Sequence, residues 1–184
     1  MIDATADGKS FKSIGLGLKK HNIPVLPPTK DHSLEIAERD GELDFGSTYG
    51  ARTINLECVL MADDTTLDYH RRVAQVAALF NAKKGDIVFT FSDLPGRRYI
   101  GRYAGTLDIE KILWDGELTI PIKMGEHPFP ESEENIKEVI ITQSPQTVSV
   151  ISRGDERASP VIVLTNIGNN DIRNFCIANE YQVE

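Results

Sequence analysis

The segment Arg52-Thr53-Ile54-Asn55-Leu56-Glu57-Cys58-Val59-Leu60-Met61 decides the fold class, because its side chains alternate with a period of two. Its strongly apolar parity consists of Ile54, Leu56, Cys58 and Leu60. Successive side chains of a β-strand point to opposite faces of a sheet, so this period is typical of a strand with one buried face. Residues 52–61 therefore predict a strand that packs one face on a core.

The next segment has the period of a helix. Its apolar positions recur along one helical face, and they are Tyr69, Val73, Val76, Ala77 and Phe80. Thr65 with Asp68 resembles a capping box, although aspartate replaces the usual glutamate or glutamine. Lys83-Lys84-Gly85 is typical of a helix end, because cations and a left-handed glycine favour that terminus. The pattern predicts one amphipathic helix over about residues 66–82.

Further strands are predicted on the carboxyl side of this helix. Residues 87–91 alternate, and Leu94-Pro95-Gly96 is a turn signal. A long strand is expected over residues 98–109, a turn at Glu110-Lys111, and another strand over residues 112–124. Residues 1–50, by contrast, are expected to be irregular and turn-rich.

Residues 125–138 look like a junction, because they contain two prolines and five glutamates against one lysine. A second β-rich segment with about four strands is expected from residue 139 onward. The chain thus predicts a mainly β (α+β) protein. Residues 1–130 would form an N-terminal β-sandwich or barrel-like domain with one helix, and residues 131–184 a partial C-terminal β-sandwich.

The charge of the chain argues against general binding to duplex nucleic acid. Twenty lysines and arginines stand against 28 aspartates and glutamates, a formal net charge of −8, whereas such binding relies on clustered cations. The junction at residues 125–138 carries −4 of this total.

The sequence predicts an ordinary protein of a reducing compartment. Its first residues show no signal peptide, and no apolar run is long enough to insert in a membrane. Cys58 and Cys176 lie far apart within apolar runs, so both are expected to be buried free thiols. We therefore expect the chain to be made in the cytoplasm.

No pattern for catalysis, a metal or a cofactor is present in the sequence. The four histidines have no metal-ligand spacing, and Gly46-Ser47-Thr48-Tyr49-Gly50 puts threonine where a hydrolase elbow needs serine. Asp44-Phe45-Gly46 matches the kinase triplet without the other kinase motifs. The basic residues Arg97, Arg98 and Arg102 are expected to lie at exposed strand ends, where they form ion pairs with acidic residues. The chain is therefore expected not to be an enzyme and to hold no cofactor.

The order of these features resembles the distal tail protein (Dit) family of long-tailed, non-contractile phages and related prophages. The resemblance covers about residues 10–130. It rests on Arg-Asp-Gly at residues 39–41, Asp-x-Gly at 44–46 and Tyr-Gly-x-Arg at 49–52, and on the turn Asp93-Leu94-Pro95-Gly96-Arg97-Arg98-Tyr99.

The resemblance implies a structural protein of the virion tail. Members of the family form a hexameric ring that joins the tail tube to the tip or baseplate, and genomic DNA passes through the channel without specific binding. The implied partners are other copies of the chain, a tail-tube protein, a tail-tip protein and, in many members, a receptor-binding protein. A galectin-like C-terminal domain is also implied, but too few residues follow the junction for a complete one.

The ring contact is expected in the glycine-rich stretch between residues 40 and 52. The residues predicted for it are Asp40, Gly41, Asp44, Gly46, Tyr49, Gly50 and Arg52. Two alternatives stay open. One is a tail-tube or tail-tip protein, and the other is a carbohydrate-binding module, which needs exposed aromatic side chains. The only tryptophan, Trp114, is expected to pack beside a turn instead.

Overall fold

The strand predicted at residues 52–61 is present as β6 (Arg52–Met61) inside an antiparallel sheet. β10 (Asp115–Met124) pairs along its whole length on one side, and β3 (Leu16–Asn22) pairs on the other. The predicted apolar face is buried at 0–2% exposure. The structure, a computed structural model, describes residues 2–63, 67–112, 115–152, 154 and 158–180, with only the backbone at 110–112 and 115.

The main sheet has eight strands. Those not yet given are β1 (Ala4–Ala6), β2 (Lys9–Ser10), β7 (Ile87–Phe91), β8 (Arg98–Tyr103) and β9 (Ile109–Ile112). Their order is β2-β1-β7-β8-β10-β6-β3, with β9 beside β10. Ile2, just before β1, forms one isolated bridge with β3, in which the Ile2 N–H donates to the Leu18 carbonyl at 3.1 Å. No ladder joins β2 to β3 among the described residues, so the domain predicted as barrel-like is an open sheet.

The single predicted helix is confirmed as α1 (Leu67–Leu79). It packs on β6 and buries Tyr69 and Val76 in the same core as the sheet. The core thus contains one helix against a β-sheet, which confirms the mainly β fold class. The predicted cap residue Thr65 lies outside the described residues.

The helix ends three residues before its predicted boundary at about residue 82, because Asn81 interrupts it. Asn81 has an extended backbone, and its side-chain oxygen accepts the Lys83 N–H at 3.0 Å. That bond starts a separate 3-10 turn at Ala82–Lys84.

Residues 1–50 are more regular than their sequence predicts. Besides β1, β2 and β3, they contain β4 (Thr29–Glu35) and β5 (Glu42–Tyr49), which pair with each other as a separate hairpin. The prediction of an irregular segment was therefore wrong. The sequence does not show β4 and β5 as strands because almost every residue in them is exposed. A strand with no buried face has no apolar alternation to reveal it.

The long strand predicted over residues 98–109 is divided into β8 and β9. The division lies opposite Pro121, where the neighbour of β10 changes from one of these strands to the other. Proline has no N–H to donate to a ladder, and its carbonyl instead accepts the Ala104 N–H at 3.0 Å. The turn predicted at Glu110-Lys111 is wrong as well, because both residues lie in β9 and pair with β10.

The chain divides into two compact units, Met1–Asn135 and Ile136–Glu184. The sequence predicted the division after residue 130. Phe129 and Glu131 are attached to the first unit: the Phe129 ring meets Tyr49 edge-on at 5.3 Å, and Glu131 exchanges two backbone hydrogen bonds with Arg98 at 2.7 and 2.8 Å.

No described residue of the second unit lies in a strand or a helix. The strands predicted for a partial C-terminal β-sandwich are therefore absent from the described residues of this unit. Its valines and isoleucines are largely exposed, as at Ile151 (81%) and Val161 (91%). A segment of this size buries little apolar surface by itself, and sheets need at least three strands or a covering layer for independent stability.

Candidate functional site

The hairpin of β4 and β5 (residues 29–49, the β4–β5 hairpin) is the most exposed regular structure in the first unit. No described strand of the main sheet pairs with it. Three large apolar side chains near its tip face solvent: Leu34 is 52% exposed, Ile36 41% and Phe45 68%. Because an isolated two-stranded hairpin is only marginally stable in water, this arrangement favours a hairpin that packs on another surface.

Two glycines set the shape of the hairpin. Gly41 (φ +81°) closes the tip turn next to Asp40, and Gly46 (φ +88°) lies at a bulge in β5. The carboxylate of Asp44 accepts the Gly46 N–H at 2.8 Å and fixes this bulge. Both glycines have a left-handed conformation that other residues adopt with strain.

The base of the hairpin is held by two buried residues. The Gly50 N–H donates to the Pro28 carbonyl at 2.7 Å, and the Arg52 Nη2 donates to the Val25 carbonyl at 2.6 Å. Arg52 is only 3% exposed, and burial lowers the pKa of its guanidinium. These bonds join the proline-containing loop before β4 to the start of β6, so they fix the direction in which the hairpin leaves the sheet.

The structure brings the seven predicted contact residues together in this hairpin and its base. Five of them are exposed on the hairpin: Asp40, Gly41, Asp44, Gly46 and Tyr49. Gly50 and Arg52 are buried in the chain, where they hold the base. Sequence reasoning missed Leu34, Ile36 and Phe45. The available signal was that these three large apolar side chains and Leu43 lie in an otherwise mostly polar stretch.

A second cluster of charges lies at the start of α1. The Asp68 carboxylate accepts hydrogen bonds from the Asp63 N–H at 2.9 Å and from the Arg72 Nε at 2.6 Å. It accepts a third hydrogen bond from Arg71. The backbone N–H and then the Arg72 guanidinium lower the pKa of the Asp68 carboxyl to about 2. Arg72 also bonds Asp63 at 2.9 Å. These bonds link Asp63, before the helix, to Asp68 and Arg72 in its first turns, so the cluster stabilises the start of α1.

The remaining ionisable groups show mostly local pairing. Arg98 lies 3.8 Å from Glu131, as expected for a strand end that pairs with an acid. His21 bonds Asp93 at 2.7 Å. Among the described residues, no three His, Cys, Asp or Glu side chains are placed to hold a metal ion, and no described helix is long and apolar enough to cross a membrane.

One of the two cysteines lies in its predicted environment and the other does not. Cys58 is buried in β6, where desolvation raises the pKa of its thiol to about 12. Cys176 is exposed in the second unit, so the prediction of two buried thiols was wrong for it. Its neighbours are apolar in sequence, but they do not form a core around it. Trp114 lies outside the described residues.

The chain matches the family described as the phage tail protein RIFT-related domain over residues 9–124, which is most of its length. It is a member of this family of phage tail proteins. The match begins at β2 and ends with β10, so it covers the main sheet except β1, the helix and the β4–β5 hairpin.

Comparisons with individual proteins confirm the resemblance to phage distal tail proteins. This chain is 31% identical over 77 residues to the distal tail protein of Bacillus phage SPP1. The alignment covers 39% of this chain and 30% of the SPP1 protein. The crystal structure of SPP1 Dit superposes with a TM-score of 0.62 at 20% identity, over 72% of this chain and 52% of the other.

The second comparison shows that the two proteins share a fold. The SPP1 protein is described as a paradigm of the hub adsorption apparatus in phages that infect Gram-positive bacteria. The chain spans 30% of the curated relative that it matches and about half of the solved one.

Proposed function

We propose that this protein is a non-enzymatic hub of a phage tail, in which six copies form a ring between the tail tube and the tip or baseplate. Membership of a phage tail family and the fold shared with the SPP1 hub protein support the structural role. The observation that carries ring formation is the β4–β5 hairpin, which leaves its own sheet and exposes apolar side chains.

The hairpin is suited to a contact between copies of the chain. Each of its outer strand edges has unpaired backbone groups, and such edges are normally paired or covered in a stable protein. Packing Leu34 and Phe45 on a neighbour would stabilise each interface by about 1.5–3 kcal/mol per fully buried side chain. A head-to-tail contact through the hairpin would close into a ring if the rotation between successive copies closes, and would give an open filament otherwise.

In this role the ring binds a tail-tube protein on one side and a tail-tip protein on the other, and a receptor-binding protein is a further partner. Genomic DNA passes through the channel. The protein acts in the virion tail after synthesis in the host cytoplasm. The N-terminal unit builds the ring, and we propose that the second unit is part of a galectin-like domain.

A pair of matched substitutions tests the hairpin contact. Leu34→Asp places a carboxylate in the proposed contact, where burial of an unpaired charge costs several kcal/mol. Leu67→Asp makes the same change at the first residue of α1, where the side chain is 84% exposed. Native mass spectrometry is expected to show rings for Leu67→Asp and monomers for Leu34→Asp.

Circular dichroism is the control for folding, and both variants are expected to keep the wild-type spectrum. Rings of unchanged stability in Leu34→Asp would exclude the hairpin as the contact. Open-ended filaments of the wild-type chain would instead favour a tail-tube protein.

A further inference from the structure

The chain leaves β8 at the end of β10 and returns to it a few residues later. β10 pairs with β8 as far as Lys123, which lies opposite Arg102. The residue that bridges to Arg98 is Glu131, whereas in an uninterrupted ladder Arg98 would pair four residues earlier in the chain. Residues 125–130, the junction loop, are therefore looped out between two points at which the chain is held in the sheet.

The sequence of the junction loop restricts how Phe129 is presented. Proline fixes its own φ and confines the residue before it to an extended backbone. Because Phe129 lies between Pro128 and Pro130, little conformational freedom is lost when its side chain docks. Residues 128–131 are half-buried, whereas the residues on either side of this stretch are exposed. The docked part of the loop is thus the part around the aromatic ring.

The ring of Phe129 docks at the base of the β4–β5 hairpin. It meets the Tyr49 ring edge-on, with 5.3 Å between the ring centroids and 86° between the ring planes, a geometry that aromatic pairs favour. Tyr49 is the last residue of β5, and the N–H of the next residue, Gly50, donates to the Pro28 carbonyl at 2.7 Å. Since no ladder joins the hairpin to the main sheet among the described strands, a side-chain contact at its base bears on the direction of the whole hairpin.

The far end of the junction loop is held by Glu131. Its backbone exchanges two hydrogen bonds with Arg98 at 2.7 and 2.8 Å, and its carboxylate lies 3.8 Å from the Arg98 guanidinium. Arg98 begins β8, which lies between β7 and β10 inside the main sheet. The ring contact and the bridge are two residues apart in the chain, so one short segment ties the hairpin base to the body of the sheet.

We propose that Phe129 is a positioning residue for the β4–β5 hairpin and that the junction loop couples the hairpin to β8. The contact is one aromatic pair in which Tyr49 stays 44% exposed, so it can open while the main sheet stays folded. Opening leaves the hairpin held by the bonds of Gly50 and Arg52 at its base, with more freedom to change direction. The coupling lies within one chain, and its importance for assembly rests on the proposed function.

Amide hydrogen exchange of the full chain tests this role. Phe129→Ala is expected to speed exchange of the Gly50 N–H at least about threefold, because exchange at the hairpin base follows local opening. His127→Ala, at an exposed position of the same loop, and Phe129→Tyr, which keeps the ring, are expected to keep the wild-type rate. Equal rates for the two alanine variants, or a Phe129→Tyr rate as fast as that of Phe129→Ala, would overturn the role of the ring.

Two conditions keep this readout specific. All variants are compared at a concentration at which native mass spectrometry shows single chains, so ring formation does not affect the rates. The amide of Leu56 is the internal reference, because β6 is paired on both sides and global unfolding would speed its exchange as well. A chain that forms no ring at any concentration would overturn the proposed function and leave this inference standing.

The reverse experiment tests the coupling, because a coupling between two sites acts in both directions. Tyr49→Ala is expected to speed exchange of the Glu131 N–H, which donates to the Arg98 carbonyl. Phe45→Ala, at a 68% exposed aromatic residue of the same hairpin, is the matched control and is expected to leave that rate unchanged. An unchanged Glu131 rate in Tyr49→Ala, or an equal increase in Phe45→Ala, would overturn the coupling.

Discussion

At the scale of single residues, the structure depends on a few backbone positions that admit only glycine. Gly15 has φ +70°, and a Cβ atom there would lie 2.6 Å from the Met61 carbonyl oxygen and 2.0 Å from an Arg72 nitrogen. Its carbonyl also accepts the Met61 N–H at 2.8 Å. The close approach brings the end of β6, the beginning of β3 and the helix together at one point.

Gly15→Ala is therefore expected to be strongly destabilising. The matched control is Gly8→Ala, since Gly8 has a similar φ of +75° and nothing within 4 Å of the added methyl group. The left-handed conformation costs about 1–2 kcal/mol in both variants. Displacement of Arg72 and the Met61 backbone adds roughly 1–3 kcal/mol for Gly15→Ala alone. Urea denaturation measures both, and equal losses in the two variants would show that the close approach is not tight.

At the scale of elements, each strand or helix was predictable to the extent that one of its faces is buried. β6 and α1 show their periods in the sequence because each packs one side on the core. The β4–β5 hairpin has no such side in a single chain, and its sequence pattern is that of a surface. The break between β8 and β9 depends on Pro121, which lies on another strand, so no local pattern could show it.

The ring contact between residues 40 and 52 stays a prediction, whereas the structure shows what these residues do within one chain. Turn glycines and the resemblance placed it between residues 40 and 52, and the structure shows one hairpin there. The roles of its residues differ because of burial: Arg52 holds the base from inside, whereas Phe45 is presented to solvent. The pairing of this stretch with β4 was missed, because the sequence alone did not reveal β4 as a strand.

The start of α1 makes a prediction for acid conditions. Hydrogen bonds hold the pKa of Asp68 at about 2, below the usual value near 3.8. The unfolded chain takes up this proton first as the pH falls, so the bonds stabilise the folded state fully above about pH 4 and progressively less toward pH 2. The difference in unfolding free energy between the wild type and Asp68→Asn is therefore expected to decrease over that range.

Chemical denaturation at a series of pH values measures this difference. Asp86→Asn, at an exposed position outside the cluster, is the matched substitution for general effects of charge. A difference for Asp68→Asn that stays constant from about pH 5 to pH 2 would contradict the role of the carboxylate.

At the scale of the whole molecule, the charges and the apolar surfaces agree with an assembled state. The net charge lies in two places, the β4–β5 hairpin and the junction, and the main sheet is neutral by comparison. The exposed apolar side chains of the first unit include those of the hairpin, which a ring would cover. The central claim of this account is accordingly that the chain assembles through the hairpin.

Native mass spectrometry of the 184-residue chain tests this claim most directly. One protomer has a mass of 20.4 kDa. The account predicts a discrete species of six protomers at micromolar concentration, which Leu34→Asp converts to monomers and Leu67→Asp does not. A wild-type chain that remains at 20.4 kDa over the whole concentration range would contradict it.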